Sequence, residues 1–121
     1  MTRSSRYRPE RLAALIQSTV ASALASEVKD PRVGFVTVTD ARVAPDASYA
    51  TIHVSVLGPD EAKAAAMEGL ESARGFLRSY LARALPLRTA PELHFVLDRT
   101  LEHAARIERL LADIKRDEPG P

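Results

Sequence analysis

Of the side chains suited to covalent or metal chemistry, the 121-residue sequence holds three histidines and no cysteine. Without thiols, disulfides, thiolate metal sites, iron–sulfur clusters and cysteine nucleophiles are excluded. His53 and His94 fall on strands at positions that alternation turns outward, so their imidazoles approach one another if the strands are neighbours. A zinc site needs three or four ligands, each oriented by an outer partner. No carboxylate is tied to this pair, and two solvated strand histidines are the simpler reading. His103 falls in the first turn of the last helix and reads as a surface residue. No G-x-x-x-x-G-K-[ST], G-x-G-x-x-G or G-x-S-x-G occurs, so neither a phosphate-cradling loop nor a nucleophile elbow is signalled. Asp60 and Glu61 read as charges favouring a helix N-terminus rather than as an acid/base pair. The expectation is a protein with no metal, no cofactor and no catalytic residue.

The remaining chemistry is cationic. Lys and Arg total 17 against 16 Asp and Glu, a net charge of +1, and 14 of the 17 are arginine. Their distribution is uneven. Arg3, Arg6, Arg8 and Arg11 face only Glu10, residues 74–88 hold Arg74, Arg78, Arg83 and Arg88 with no acid, and residues 60–71 are net acidic. The guanidinium fork matches phosphate geometry better than an ammonium does. Two basic clusters on a near-neutral chain therefore suggest a polyanion, while solvated flank arginines remain the plainer alternative. Aromatic residues are 5% of the chain, and no pair suited to base stacking is evident on the open sheet face. Contact with a nucleic-acid backbone and its shape is expected rather than base reading.

Hydrophobic spacing supplies the elements that hold these groups. Leu12 to Ser26 is uncharged and follows a basic stretch, as a secretory signal would. However, Leu12, Leu15, Ile16, Val20, Ala23, Leu24 and Val28 recur at steps of three and four, the stripe of an amphipathic helix starting near Pro9. Fifteen residues are also short of the ~20 needed to cross a bilayer. The helix ends by Asp30, before Pro31. Val33 to Thr39 reads as a strand, Ala44-Pro45-Asp46 as a turn, and Tyr49 to Leu57 as a second strand with Ala50, Ile52, Val54 and Val56 inward, the two forming an antiparallel hairpin. A helix runs from Asp60 to about Ala73, Gly75 breaks it, and a further helix covers Phe76 to Leu85. Glu92 to Asp98 forms the third strand. Thr100 caps a last helix with the stripe Leu101, Ala104, Ile107, Leu111 and Ile114. The order implies an α+β fold with helices on one face of a three-stranded sheet. The division is a basic arm at 1–8, the domain at 9–98, a C-terminal helix at 99–115 and a disordered tail at 116–121.

Four stretches then carry a resemblance: KDPRVGFVTVTD (29–40), VSVLG (54–58), SARGFLRSYLARAL (72–85) and PELHFVLDRTLEHAARI (91–107). Together they resemble the ribosome-binding factor A family over about residues 6–114. The resemblance implies a type II KH-like fold, helix–strand–strand–helix–helix–strand, with a kinked Ala-x-Gly where other KH domains place G-x-x-G. Ala73-Arg74-Gly75 matches that kink. It further implies a non-enzymatic, cytoplasmic bacterial assembly factor. Such a factor binds the free 30S subunit late in maturation and assists 16S ribosomal RNA processing at the 5′ end. It serves cold adaptation and is released with the help of a ribosome-dependent GTPase.

On this reading Arg6, Arg8, Arg11, Arg32, Arg74 and Arg78 contact phosphates, Ala73 and Gly75 set the kink, and 16S ribosomal RNA is the partner, with ribosomal proteins as further contacts. The chain is expected to act as a monomer away from membranes. The alternative is an RNA-independent protein-interaction module using the last helix's stripe. A small metalloenzyme built on His53 and His94 is the third possibility.

Overall fold

The structure, a computed structural model, describes residues 8–99, 107–112 and 114. Its elements run α1 (Pro9–Ser26), a 3₁₀ turn (Pro31–Val33), β1 (Val36–Val43), β2 (Tyr49–Val56), α2 (Asp60–Ala84) and β3 (Glu92–Leu97). Pro9 takes the first position of α1, where its missing N–H costs nothing. The predicted stripe packs as expected: Leu12, Ile16, Val20, Ala23 and Leu24 are buried, and Leu15 and Val28 are half-buried.

The sheet order is β1-β2-β3, with β1 antiparallel and β3 parallel to β2. The hairpin holds, and Ala50, Ile52, Val54 and Val56 all point into the core. α1 packs on β1, α2 packs on β2 and β3, and both helices share one core with the inner face of the sheet. The α+β, KH-like class is therefore what the chain adopts. α1 leads through the 3₁₀ turn into β1, α2 follows β2, and the two helices touch each other.

Three boundaries differ from expectation. Val33 does not open a strand: it is buried in the 3₁₀ turn, and β1 starts at Val36. Asp30 causes this by capping the turn, its carboxylate accepting the Arg32 amide at 2.9 Å. β1 also continues to Val43, past a bulge between Val38 and Asp40 that keeps the inward alternation in step with β2. Most consequential, Gly75 does not divide the chain into two helices; α2 is a single helix of 25 residues running through Ala73-Arg74-Gly75. One glycine costs only about 1 kcal/mol against alanine in a helix, less than Leu70 on one side and Leu77 and Leu81 on the other gain by packing on one core. Of the C-terminal helix, residues 107–112 and 114 are helical. Arg3, Arg6, the Thr100 cap, Leu101, His103, Ala104 and the tail lie outside the described residues.

Two other glycines answer geometric demands. Gly58 turns the chain from β2 toward α2 at φ 133°, a conformation L side chains rarely adopt. Gly69 is buried in α2 where the 3₁₀ turn presses on it: a Cβ there would stand 2.9 Å from Val33 Cγ1 and 3.2 Å from Arg32 Cβ. Above this contact the Asp30 carboxylate takes the Arg32 guanidinium in a fork, with Nη2 donating to Oδ2 at 2.6 Å and Nε at 3.0 Å.

That fork sets an acid limb. The Arg32 side chain first, and its backbone amide second, hold the Asp30 carboxyl below its ordinary pKa. A carboxyl with a lower folded than unfolded pKa contributes stability above its unfolded value, ~3.9, and loses it as pH falls through the folded one. Asp30→Asn is therefore expected to be less stable than the parent near neutrality, with the gap in thermal midpoint closing below about pH 4. A gap unchanged down to about pH 2 would show that the pair contributes by packing alone.

Candidate nucleic-acid interface

Past the middle of α2, Gly75 is solvent-exposed, and beyond its own stretch of helix backbone no atom lies within 4 Å of where its Cβ would be. Its amide belongs to the helix ladder, so the free N-terminal amides expected of a break are not offered there. What the position offers is bare backbone on a helix surface. Arg74 and Arg78 follow one flank, a turn apart. The Arg74 Nη1 lies 3.6 Å from Glu71 Oε1, a loose exposed ion pair. The Arg78 Nε donates to the Ala90 carbonyl at 3.1 Å, which ties the side chain to the loop before β3 and leaves its terminal amines pointing beyond that bond.

The other arginines singled out from sequence do not join this flank. Arg8 is the N-cap residue of α1 and is exposed, and Arg11 sits in the first turn. Arg32 lies at the opposite end of the helix pair, gripped by Asp30 and 3.8 Å from Glu68. The structure thus separates a group at the start of α1, a flank on α2 and a clamped residue by the 3₁₀ turn. Arg83, not among the six, is exposed near the end of α2.

Two ring pairs escaped the sequence reading. Tyr49 and His94 meet edge-to-face on the open side of the sheet, with centroids 5.6 Å apart and planes at 88°. The parallel register of β2 on β3, with Thr51 opposite His94, creates the pair and leaves no trace in local sequence. That register sets His53 opposite Val96 rather than His94, and among the described residues no group of three His, Cys, Asp or Glu could hold a metal ion. Phe76 and Tyr80 lie with centroids 6.2 Å apart and planes tilted by 42°. Their i, i+4 spacing is a readable signal, and Phe76 is 43% exposed, unlike the buried Leu77 beside it. In the C-terminal segment Ile107, Leu110, Leu111 and Ile114 are all exposed. No helix among the described residues is long and apolar enough to cross a membrane.

The chain is similar to known proteins along most of its length. The sequence profile of the family described as Ribosome-binding factor A matches residues 8–111. A relative of that name from Thermomicrobium roseum is 44% identical over 111 residues, covering 92% of this chain and 86% of the relative. The crystal structure of ribosome-binding factor A from Thermus thermophilus superposes with a TM-score of 0.69 at 27% identity, covering 77% of this chain and 98% of that one. A homology model of the Thermus thermophilus protein, fitted into a cryo-EM map of its complex with the 30S subunit, gives 0.60 at 28% identity over 71% of this chain and 90% of that one.

Proposed function

The chain belongs to the ribosome-binding factor A family, and from that premise we propose that it binds the free 30S subunit and holds a junction of 16S ribosomal RNA in one conformation during late maturation. The observation that carries this reading is Gly75. A glycine in mid-helix costs about 1 kcal/mol against alanine, and nothing inside the fold requires it, since no neighbour approaches its Cβ position. Uncovered backbone beside Arg74 and Arg78 suits close approach by a sugar-phosphate chain, with the guanidinium groups meeting phosphates alongside.

Binding of this kind acts by population. A surface that prefers one RNA conformer shifts the equilibrium by no more than its difference in affinity between conformers. The gain matters most in the cold, where misfolded RNA helices persist. On this reading the protein works in the cytoplasm as a monomer, performs no covalent step, assists formation of the 16S 5′ end, and leaves with the help of a ribosome-dependent GTPase. Arg8 and Arg11, with Arg6 preceding them, reach further phosphates; Arg32 contributes least, because Asp30 already occupies its fork. The exposed Ile107, Leu110, Leu111 and Ile114 favour an additional contact with a ribosomal protein.

Sedimenting a lysate on a sucrose gradient tests the reading: the protein is expected with free small subunits and not with polysomes. With purified components, log affinity should fall linearly with log salt, by about 0.7–0.9 per phosphate neutralised. Salt-insensitive association would instead favour the apolar stripe, and no association at all would end the proposal.

A further inference from the structure

We infer that the C-terminal helical segment closes over the open face of the sheet, seating Ile107, Leu110, Leu111 and Ile114 on a patch formed by Phe35, Leu57 and Val96. The inference concerns the free chain, before any ribosomal partner takes the same stripe, and so stands apart from the function proposed above.

The pleat makes the patch. Val36 and Val56 are opposite one another in the β1–β2 ladder; Val56 is buried and Val36 packs against the core. One residue beyond each strand end, Phe35 and Leu57 turn to the other side, still joined by a bond from the Leu57 amide to the Phe35 carbonyl at 3.4 Å. They are 70% and 76% exposed, the most uncovered large apolar side chains among the described residues. On β3, Val96 lies opposite His53 and is 42% exposed on that same side. From His53 to Leu57 is four residues, about 13 Å along the chain. Both α1 and α2 pack on the inner face. This end of the sheet is therefore apolar on both sides, and a sheet of that kind is stable when a layer covers each.

The path of the chain selects the occupant. β3 ends beside the patch: the Asp98 amide donates to the Val54 carbonyl at 2.6 Å, and Arg99 Nη1 lies 4.0 Å from Asp60 Oδ1 at the start of α2, three residues past Leu57. Seven residues, 100–106, separate Arg99 from Ile107. A stretch of that length spans about 10 Å as helix and about 23 Å extended, enough to bring the next residues back over Leu57 and Phe35. Residues 107–112 and 114 are helical, and Ile107, Leu110, Leu111 and Ile114 recur at steps of three and four, all exposed. Glu108 and Arg109 fall off that stripe and stay in water when it is covered. Eight helical residues are about 12 Å long, the length of the patch. Short helices are marginal in water without an apolar surface to pack on. A short tether supplies that surface at an effective concentration on the order of millimolar, which a second copy does not reach in dilute solution.

The chain contains no tryptophan, so Leu111→Trp in the full chain places a single reporter on the stripe, and Leu110→Trp repeats the reading one position away. In dilute free protein both are expected to emit at wavelengths shorter than a solvated indole, independently of protein concentration. Adding Leu57→Asp puts a carboxylate in the patch and should abolish that blue shift. The domain should keep its melting transition, because a side chain 76% exposed carries little of the core. Phe35→Ser should give the same loss from the neighbouring strand. The inference falls if both reporters emit as solvated indoles, or if the blue shift survives Leu57→Asp and Phe35→Ser, which would place the helix elsewhere. It also falls if the blue shift grows with protein concentration, which would make the occupant a second copy.

Discussion

Replacing Gly69 by valine is expected to destabilise the protein by about 2–3 kcal/mol, the usual cost of forcing extra methyl groups into a packed contact. The atoms that must yield are identifiable. Val33 Cγ1 would lie 2.9 Å from the new Cβ, and Val33 is itself buried in the 3₁₀ turn. Moving that turn also disturbs the fork between Asp30 and Arg32 and the approach to β1. The thermal midpoint should fall on the order of 10 °C. Gly75→Val, six residues on in the same helix, should behave in the opposite way. Valine has a slightly better helix propensity than glycine, and nothing lies within 4 Å to clash, so the midpoint should hold or rise. Circular dichroism melts of the two variants decide the matter: equal losses would mean that Gly75 bears on packing that the fold does not reveal.

This contrast marks where local sequence is informative and where it is not. Periodicity and alternation are consequences of which face is buried. Hence the α1 stripe, the inward set Ala50–Ile52–Val54–Val56 and the hairpin could be read directly. Gly75 was expected to break a helix because glycine does so when nothing opposes it. Whether something opposes it is a tertiary question, answered by Leu70, Leu77 and Leu81 sharing one buried face. Gly69 carries no local signal, because its demand comes from Val33, far away in sequence. The arginines show the same limit. Clustering along the chain grouped Arg8, Arg11, Arg32, Arg74 and Arg78 by charge, whereas their positions depend on which end and flank of the helix pair each occupies. The engagement of Arg32 by Asp30 was local, two residues apart, and the D-P-R triplet carried that signal.

Replacing Arg74 and Arg78 together by alanine is expected to weaken binding to free 30S subunits by about 2–3 kcal/mol, some 30- to 150-fold, if both meet phosphates at the bare face of α2. The two residues do not start equal. Arg74 has only a 3.6 Å surface pair with Glu71 to give up, a contact that contributes little. Arg78 also holds the Ala90 carbonyl, so its loss should cost about 1 kcal/mol of fold stability. Affinities must therefore be compared well below both melting transitions. The slope of log affinity against log salt should become shallower by about 1.4–1.8 for two lost phosphate contacts. Gly75→Val provides the complementary variant: it keeps both charges and the fold, and interposes two methyl groups between backbone and ligand. It is expected to lose affinity with the salt slope nearly preserved, because approach rather than charge is blocked. A double alanine variant that is folded and binds subunits with the parent's affinity and slope would move the interface off this flank. A Gly75→Val variant with full affinity would remove close backbone approach as the reason for a glycine there.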